Sequence, residues 1–181
     1  TQPFTGHDIG LFRLQAPVTD VTPAELYTGG DAVGLTGTSV GFGLTGDGNT
    51  GTVAGTAGTK RAGRNRIDNV GGDPAGGDHG GLVNFTGVSS DLIFSDFDDP
   101  TNPQTNVTGP LAGDLTPDGP YADDLEYLIA PGDSGGPVYV QDPADGDAWK
   151  VAAVHSLVAR VQGQLPDGSF IGDQDLQLNS S

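Results

Sequence analysis

Residues 132–137 read Gly-Asp-Ser-Gly-Gly-Pro, and each residue type in that run bears on one kind of chemistry. Glycine takes positive φ without steric cost, so the run can turn tightly. A loop turned this way can aim the N–H groups of Gly132 and Ser134 into one hollow. Two such donors stabilise the negative oxygen that forms when a carbonyl carbon is attacked. The Ser134 hydroxyl is a nucleophile of the required kind, weak until a neighbouring base takes its proton. The bland alternative is a plain Gly/Pro turn in a glycine-rich chain, which a match at six specified positions disfavours.

The run resembles the nucleophile loop of the trypsin-like (chymotrypsin-fold) serine peptidases. Upstream, Asp8-Ile9-Gly10-Leu11, then Leu14, Pro17 and Val18, resembles the segment that carries that family's triad aspartate. Ser39-Val40-Gly41-Phe42-Gly43 resembles its Gly-Trp-Gly strand with Phe42 in place of tryptophan, and Thr59-Lys60-Arg61-Ala62-Gly63-Arg64-Asn65 resembles a stretch of its bacterial members. Val-Ala-Ala-Val-His-Ser-Leu at 151–157 is similar to the strand that lines the substrate cleft. The likeness implies Ser134 as nucleophile and Asp8 as the acid that orients and stabilises an imidazolium. It implies Gly132 and Ser134 as oxyanion donors and Ser156 as a support for the aspartate. Asp133 would shape the loop, in many family members by pairing with a newly cut N-terminus.

The general base of such a triad lies upstream of the aspartate, and only seven residues precede Asp8. His7 adjoins Asp8, and successive strand residues point to opposite faces. His79 sits in Gly-Gly-Asp-His-Gly-Gly, which has no family counterpart, and His155 stands before Ser156 where the family has a small or apolar residue. None fits the base. The expectation is a fragment that begins after its catalytic histidine and turns over no substrate alone.

The chain has 181 residues, no cysteine and a net charge of −17. Disulfides and thiolate metal sites are therefore out, which fits a bacterial type. So acidic a surface repels nucleic acid and anionic membranes. No apolar run reaches the ~18 residues a spanning helix needs, so neither nucleic acid nor membrane insertion is expected. A secreted monomer acting on proteins or peptides is. The cluster Lys60, Arg61, Arg64 and Arg66 lacks interleaved aromatics and is read as solvated charge pairing with acidic loops. No cofactor is implied. The aspartates at 96–99 and 142–147 are the candidates for calcium, although aspartate also favours turns.

Positioning these residues calls for many short strands between Gly/Pro turns, an all-β pattern. Strands are expected over 8–14, 38–45, 50–62, 66–70, 82–85 and 89–94. A further pair at 137–141 and 149–158 forms a hairpin around 142–147, and 169–172 is a last short strand. The resemblance implies a double β-barrel with the second barrel largely present. Residues 1–18 would end the first barrel, 19–34 connect, and 35–181 form the second; the chain stops short of the family's closing strand and helix.

The function expected is a serine endopeptidase using a Ser-His-Asp triad, of which this chain holds Asp8 and Ser134. The alternative is a non-catalytic binding or adhesion module on a peptidase-like fold. By the same likeness the primary specificity pocket has Leu128 at its floor, six residues before Ser134, with Leu157 and Val158 at its wall and mouth. An apolar floor gives lysine or arginine no counter-charge, so cleavage is expected after Ala, Val or Leu.

Overall fold

Strands arise where small or apolar residues alternate with polar ones. In the computed structural model the described residues are 8–48, 50–74, 85–97, 127–164 and 170–180, with backbone alone for 159–164 and 170–180. Ten strands follow in chain order: β1 Glu25–Leu26, β2 Thr36–Gly41, β3 Thr45–Asp47, β4 Gly51–Val53, β5 Arg61–Arg66, β6 Asn69–Val70, β7 Leu92–Asp96, β8 Pro137–Asp142, β9 Ala148–Gln164 and β10 Phe170–Ser180. Among the described residues the helical structure is a single 3-10 turn, Pro143–Asp145. The fold is all-β, and no helix there is long and apolar enough to cross a membrane.

Eight strands make one sheet along the path β5-β2-β8-β9-β10-β7-β6, with β1 parallel to β9; β3 and β4 pair separately. The two ends of the path are neighbours in the chain, since only Ile67 and Asp68 separate β5 from β6. At that bend Ile67 is buried, and the Asp68 N–H donates to Phe94 O of β7 at 2.8 Å. No ladder joins β5 to β7 directly among the described residues.

The expected hairpin of β8 and β9 is present, with register Val138 to Ala153 and Asp142 to Ala148. Asp142 caps the 3-10 turn, accepting from Ala144 N–H at 3.0 Å. Three differences from the sequence pattern stand out. Residues 8–14 pair with no strand among those described, and Leu11 is 96% and Phe12 87% exposed. Among the described residues no neighbouring strand answers their apolar pattern. The expected connector contains β1, which Tyr27 N–H extends by donating to Val151 O at 2.9 Å. The last strand runs to Ser180, because β10 pairs with both β9 and β7. Residues 82–84 of the expected strand at 82–85, and Asp98 and Asp99 of the 96–99 cluster, lie outside the described residues.

Burial alternates along β2, where the inward positions are Gly37, Ser39 and Gly41, and along β8, where they are Val138, Val140 and Asp142. Small residues on one strand leave room for larger groups from its neighbours. Gly37 takes Val138, whose Cγ1 lies 3.0 Å from where a Cβ would stand. The apolar core gathers Ala32, Ile67, Ile93, Val138, Val140 and Ala153, with Tyr27, Val33, Leu35, Val70 and Ala152 packed against it. Phe85 stacks on Phe94 beside it, centroids 4.1 Å apart. Around this modest core many polar side chains are buried, Asp133 and His155 among them.

Candidate active site

The loop that leads into β8 carries the Gly-Asp-Ser-Gly-Gly run, and strands on several sides hold it. Gly132 and Gly135 have φ of +101° and +77°, values that favour glycine and reverse the chain sharply. Leu44 N–H donates to Pro131 O at 3.0 Å, tying the loop to the chain leaving β2. From β9, His155 N–H donates to Gly136 O at 2.8 Å and accepts Gly135 N–H on its carbonyl at 2.9 Å.

Asp133 anchors the loop. Its carboxylate is buried at 4% exposure and accepts three hydrogen bonds. Gly43 N–H reaches Oδ1 at 2.7 Å; the Tyr127 hydroxyl and Ala130 N–H reach Oδ2 at 2.8 and 3.0 Å. Two glycines of the β2 segment make space for it. A Cβ on Gly43 would stand 2.7 Å from the carboxylate carbon, and one on Gly41 would overlap Oδ1. The resemblance implied that Asp133 shapes the loop, in many family members by pairing with a newly cut N-terminus; the three donors to it among the described residues are all internal.

The N–H groups of the loop divide into two sets. Those of Asp133, Gly135 and Gly136 donate to Ala130 O, His155 O and Asp133 O, each at 2.9 Å. Those of Gly132 and Ser134 meet no backbone acceptor among the described residues. Ser134 itself is exposed, and its hydroxyl has no hydrogen-bond partner among the described residues. An exposed hydroxyl flanked by two unspent amide donors is an arrangement suited to attacking a carbonyl and stabilising its oxyanion.

The other expected residues fall as follows. The Ser156 hydroxyl donates to Asp8 Oδ2 at 2.7 Å in an exposed setting, so adjacent residues of β9 hold Asp8 and the Gly-Asp-Ser-Gly-Gly loop. Leu128 and Leu157 are half-buried and Val158 is 39% exposed, while Ile129 turns into the interior. His7 and His79 lie outside the described residues. No imidazole is within hydrogen-bonding distance of the Ser134 hydroxyl among the described residues. No group of three or more metal-ligating side chains is gathered among them either. In the 142–147 cluster, Lys150 Nζ lies 3.3 Å from Asp142 Oδ2 and 2.7 Å from Asp145 Oδ2. These carboxylates are spent on a lysine, whose pKa their hydrogen bonds raise, Asp145 first.

No protein-family model, curated protein or solved structure matches the chain. What the site can do therefore follows from its own chemistry.

His155 is the buried titratable group beneath the loop. Its Nδ1 lies 3.1 Å from Asp133 O; a carbonyl only accepts, so Nδ1 carries the proton and Nε2 is the bare lone pair. Nε2 is buried with no partner among the described residues. Burial lowers the imidazole pKa below its usual 6.5, partly offset by Asp133. The native state therefore keeps the ring neutral, whereas the unfolded chain binds a proton below pH 6.5. Stability from this group is present above that pH and is lost as pH falls toward the depressed native value. Unfolding free energies from urea titrations should fall more steeply for the parent than for His155→Gln between pH 7.5 and 5.5, by at most about 1.4 kcal/mol per pH unit. Parallel pH profiles would contradict this.

Two features lay outside the expected site residues: Tyr127 as a partner of Asp133, and His155 as the support of the loop. The signal for the first was the run of small residues at inward strand positions, which marks where something bulky approaches.

Proposed function

We propose that this chain carries the nucleophile and the acid of a secreted serine endopeptidase of the trypsin-like kind. The observation that carries the proposal is that the N–H groups of Gly132 and Ser134 meet no acceptor among the described residues, beside an exposed Ser134 hydroxyl. Ser134 Oγ attacks the peptide carbonyl carbon, and an imidazole takes its proton. The oxyanion lies against the Gly132 and Ser134 N–H groups, and the proton passes to the leaving amine. Water then hydrolyses the ester and restores Ser134. Asp8, held by Ser156, orients the imidazole, which comes from a residue outside those described here. On this proposal residues 35–181 form the second of two barrels. A strand path whose two ends are the single bent segment of β5 and β6 supports it.

Specificity tests the proposal together with its pocket. With Leu128, Leu157 and Val158 around the bound side chain, a peptide library offered to the longest native form should be cut after Ala, Val or Leu. A dominant preference for lysine or arginine would sink the pocket assignment. A folded protein that cuts nothing would favour the second reading, a binding module on a peptidase-like fold. One observation speaks for that second reading: the lack of an imidazole at Ser134 among the described residues.

A further inference from the structure

Tyr127 is fixed at both ends. Its N–H donates to Arg64 O at 2.9 Å and its carbonyl accepts from Asn65 Nδ2 at 3.3 Å, so its main chain is tied to β5. Its phenol crosses to Asp133 six residues later, closing the loop between them. The ring lies over Gly63 of β5, where any Cβ would stand 2.5 Å from Tyr127 Cβ. Gly41 of β2 is bare where the carboxylate sits. Two strand positions thus go without a side chain so that one phenol–carboxylate pair can be seated.

The other two donors to Asp133, Gly43 N–H and Ala130 N–H, belong to the main chain. Among the described residues the phenol is the one side-chain donor on that carboxylate. Asp133 stands between the two residues whose N–H groups meet no acceptor among the described residues: the Ser134 N–H lies in the peptide that follows Asp133 and the Gly132 N–H in the peptide before Gly132, so holding Asp133 restrains the turn that carries both. Donors to an oxyanion work only within a few tenths of an ångström of their place.

We propose that Tyr127 is a positioning residue of the nucleophile loop, its hydroxyl holding Asp133 so that the Gly132 and Ser134 N–H groups converge on one point. The proposal rests on the peptidase assignment above for its catalytic consequence, but not for the anchoring itself. Around the phenol the titratable groups are Asp133 on the loop and His155 on β9, ring centroids 6.2 Å apart for the latter; Gly63 on β5 and Gly41 on β2 add none. Burial, then Asp133, raises the Tyr127 pKa above its usual 10.0. The neutral donor form therefore persists where an ordinary tyrosine ionises, and the anchor weakens only at more alkaline pH.

Tyr127→Phe removes a single oxygen. In the longest native form, exchange of the hydrogen-bonded Asp133, Gly135 and Gly136 amides should quicken about tenfold or more while exchange elsewhere is unchanged. The turnover number, kcat, should fall about 10- to 100-fold with KM within about twofold. The unmodified protein supplies a second measurement. In an absorbance titration Tyr127 should ionise above its usual 10.0, and protection of the Asp133, Gly135 and Gly136 amides should fail with it. Unchanged loop exchange in the phenylalanine variant would overturn the proposal. Should that variant not fold, titration of all four tyrosines together near pH 10 would overturn it. A parent that hydrolyses nothing, yet whose variant shows quickened loop exchange, would remove the peptidase assignment and keep the anchor.

Discussion

Alanine at position 134 should abolish peptide hydrolysis and leave the fold as it was. On the proposed function, loss of the serine nucleophile of the triad costs on the order of 10⁶ in kcat, because no other group would form the covalent intermediate. Folding has no claim on this side chain: Ser134 is exposed and its hydroxyl bonds to nothing among the described residues. Surface changes of this sort stay within about 0.5 kcal/mol. The expected pair of results is therefore an inactive protein with an unaltered melting temperature. Residual hydrolysis within tenfold of the parent would show that Ser134 is not the nucleophile. A large loss of stability would show that it is structural.

Valine in place of Gly43 should have the opposite signature. Its Cβ would stand 2.7 Å from Asp133 Cγ and Oδ1 and 2.8 Å from Oδ2, closer than non-bonded atoms come. The carboxylate must swing out, and it then abandons Gly43 N–H, Ala130 N–H and the Tyr127 hydroxyl together. Overpacking and the stranded buried donors each cost a few kcal/mol, so a loss of about 3–5 kcal/mol is expected. For a chain of this length that lowers the melting temperature by roughly 10 °C. Calorimetry on the purified variant checks it. A shift under 2 °C, with Ser134 still reactive, would mean that Asp133 does not hold the loop in the way described.

Those two substitutions mark the boundary of what the sequence makes legible. Six residues in a row carry their chemistry openly, so the turn at Gly132 and Gly135 and the exposure of Ser134 follow from residue types. The hairpin of β8 and β9 was equally open, since apolar residues alternate on both sides of an aspartate-rich turn. The contact of Ser156 with Asp8 spans 148 residues and was expected from resemblance rather than from physics. Residues 8–14 went the other way: an apolar pattern reads as a strand whether or not a partner lies beside it. For β10 the reverse holds, because Asp173, Gln174 and Asp175 give no strand pattern, and its ladders to β9 and β7 are long-range facts. Tyr127 was hidden for a similar reason. A phenol six residues before an aspartate has no local meaning until β5 and β2 leave Gly63 and Gly41 bare to receive the pair.

The central claim is that Ser134 is a nucleophile backed by two oxyanion donors, and a fluorophosphonate probe reports on both features at once. The serine oxygen displaces fluoride from the probe's phosphorus while the base takes the hydroxyl proton, and the phosphoryl oxygen occupies the oxyanion position. On the longest native form of the protein, labelling should map by mass spectrometry to Ser134 alone and vanish in Ser134→Ala. A folded protein that remains unlabelled, or is labelled at another residue, would contradict the account.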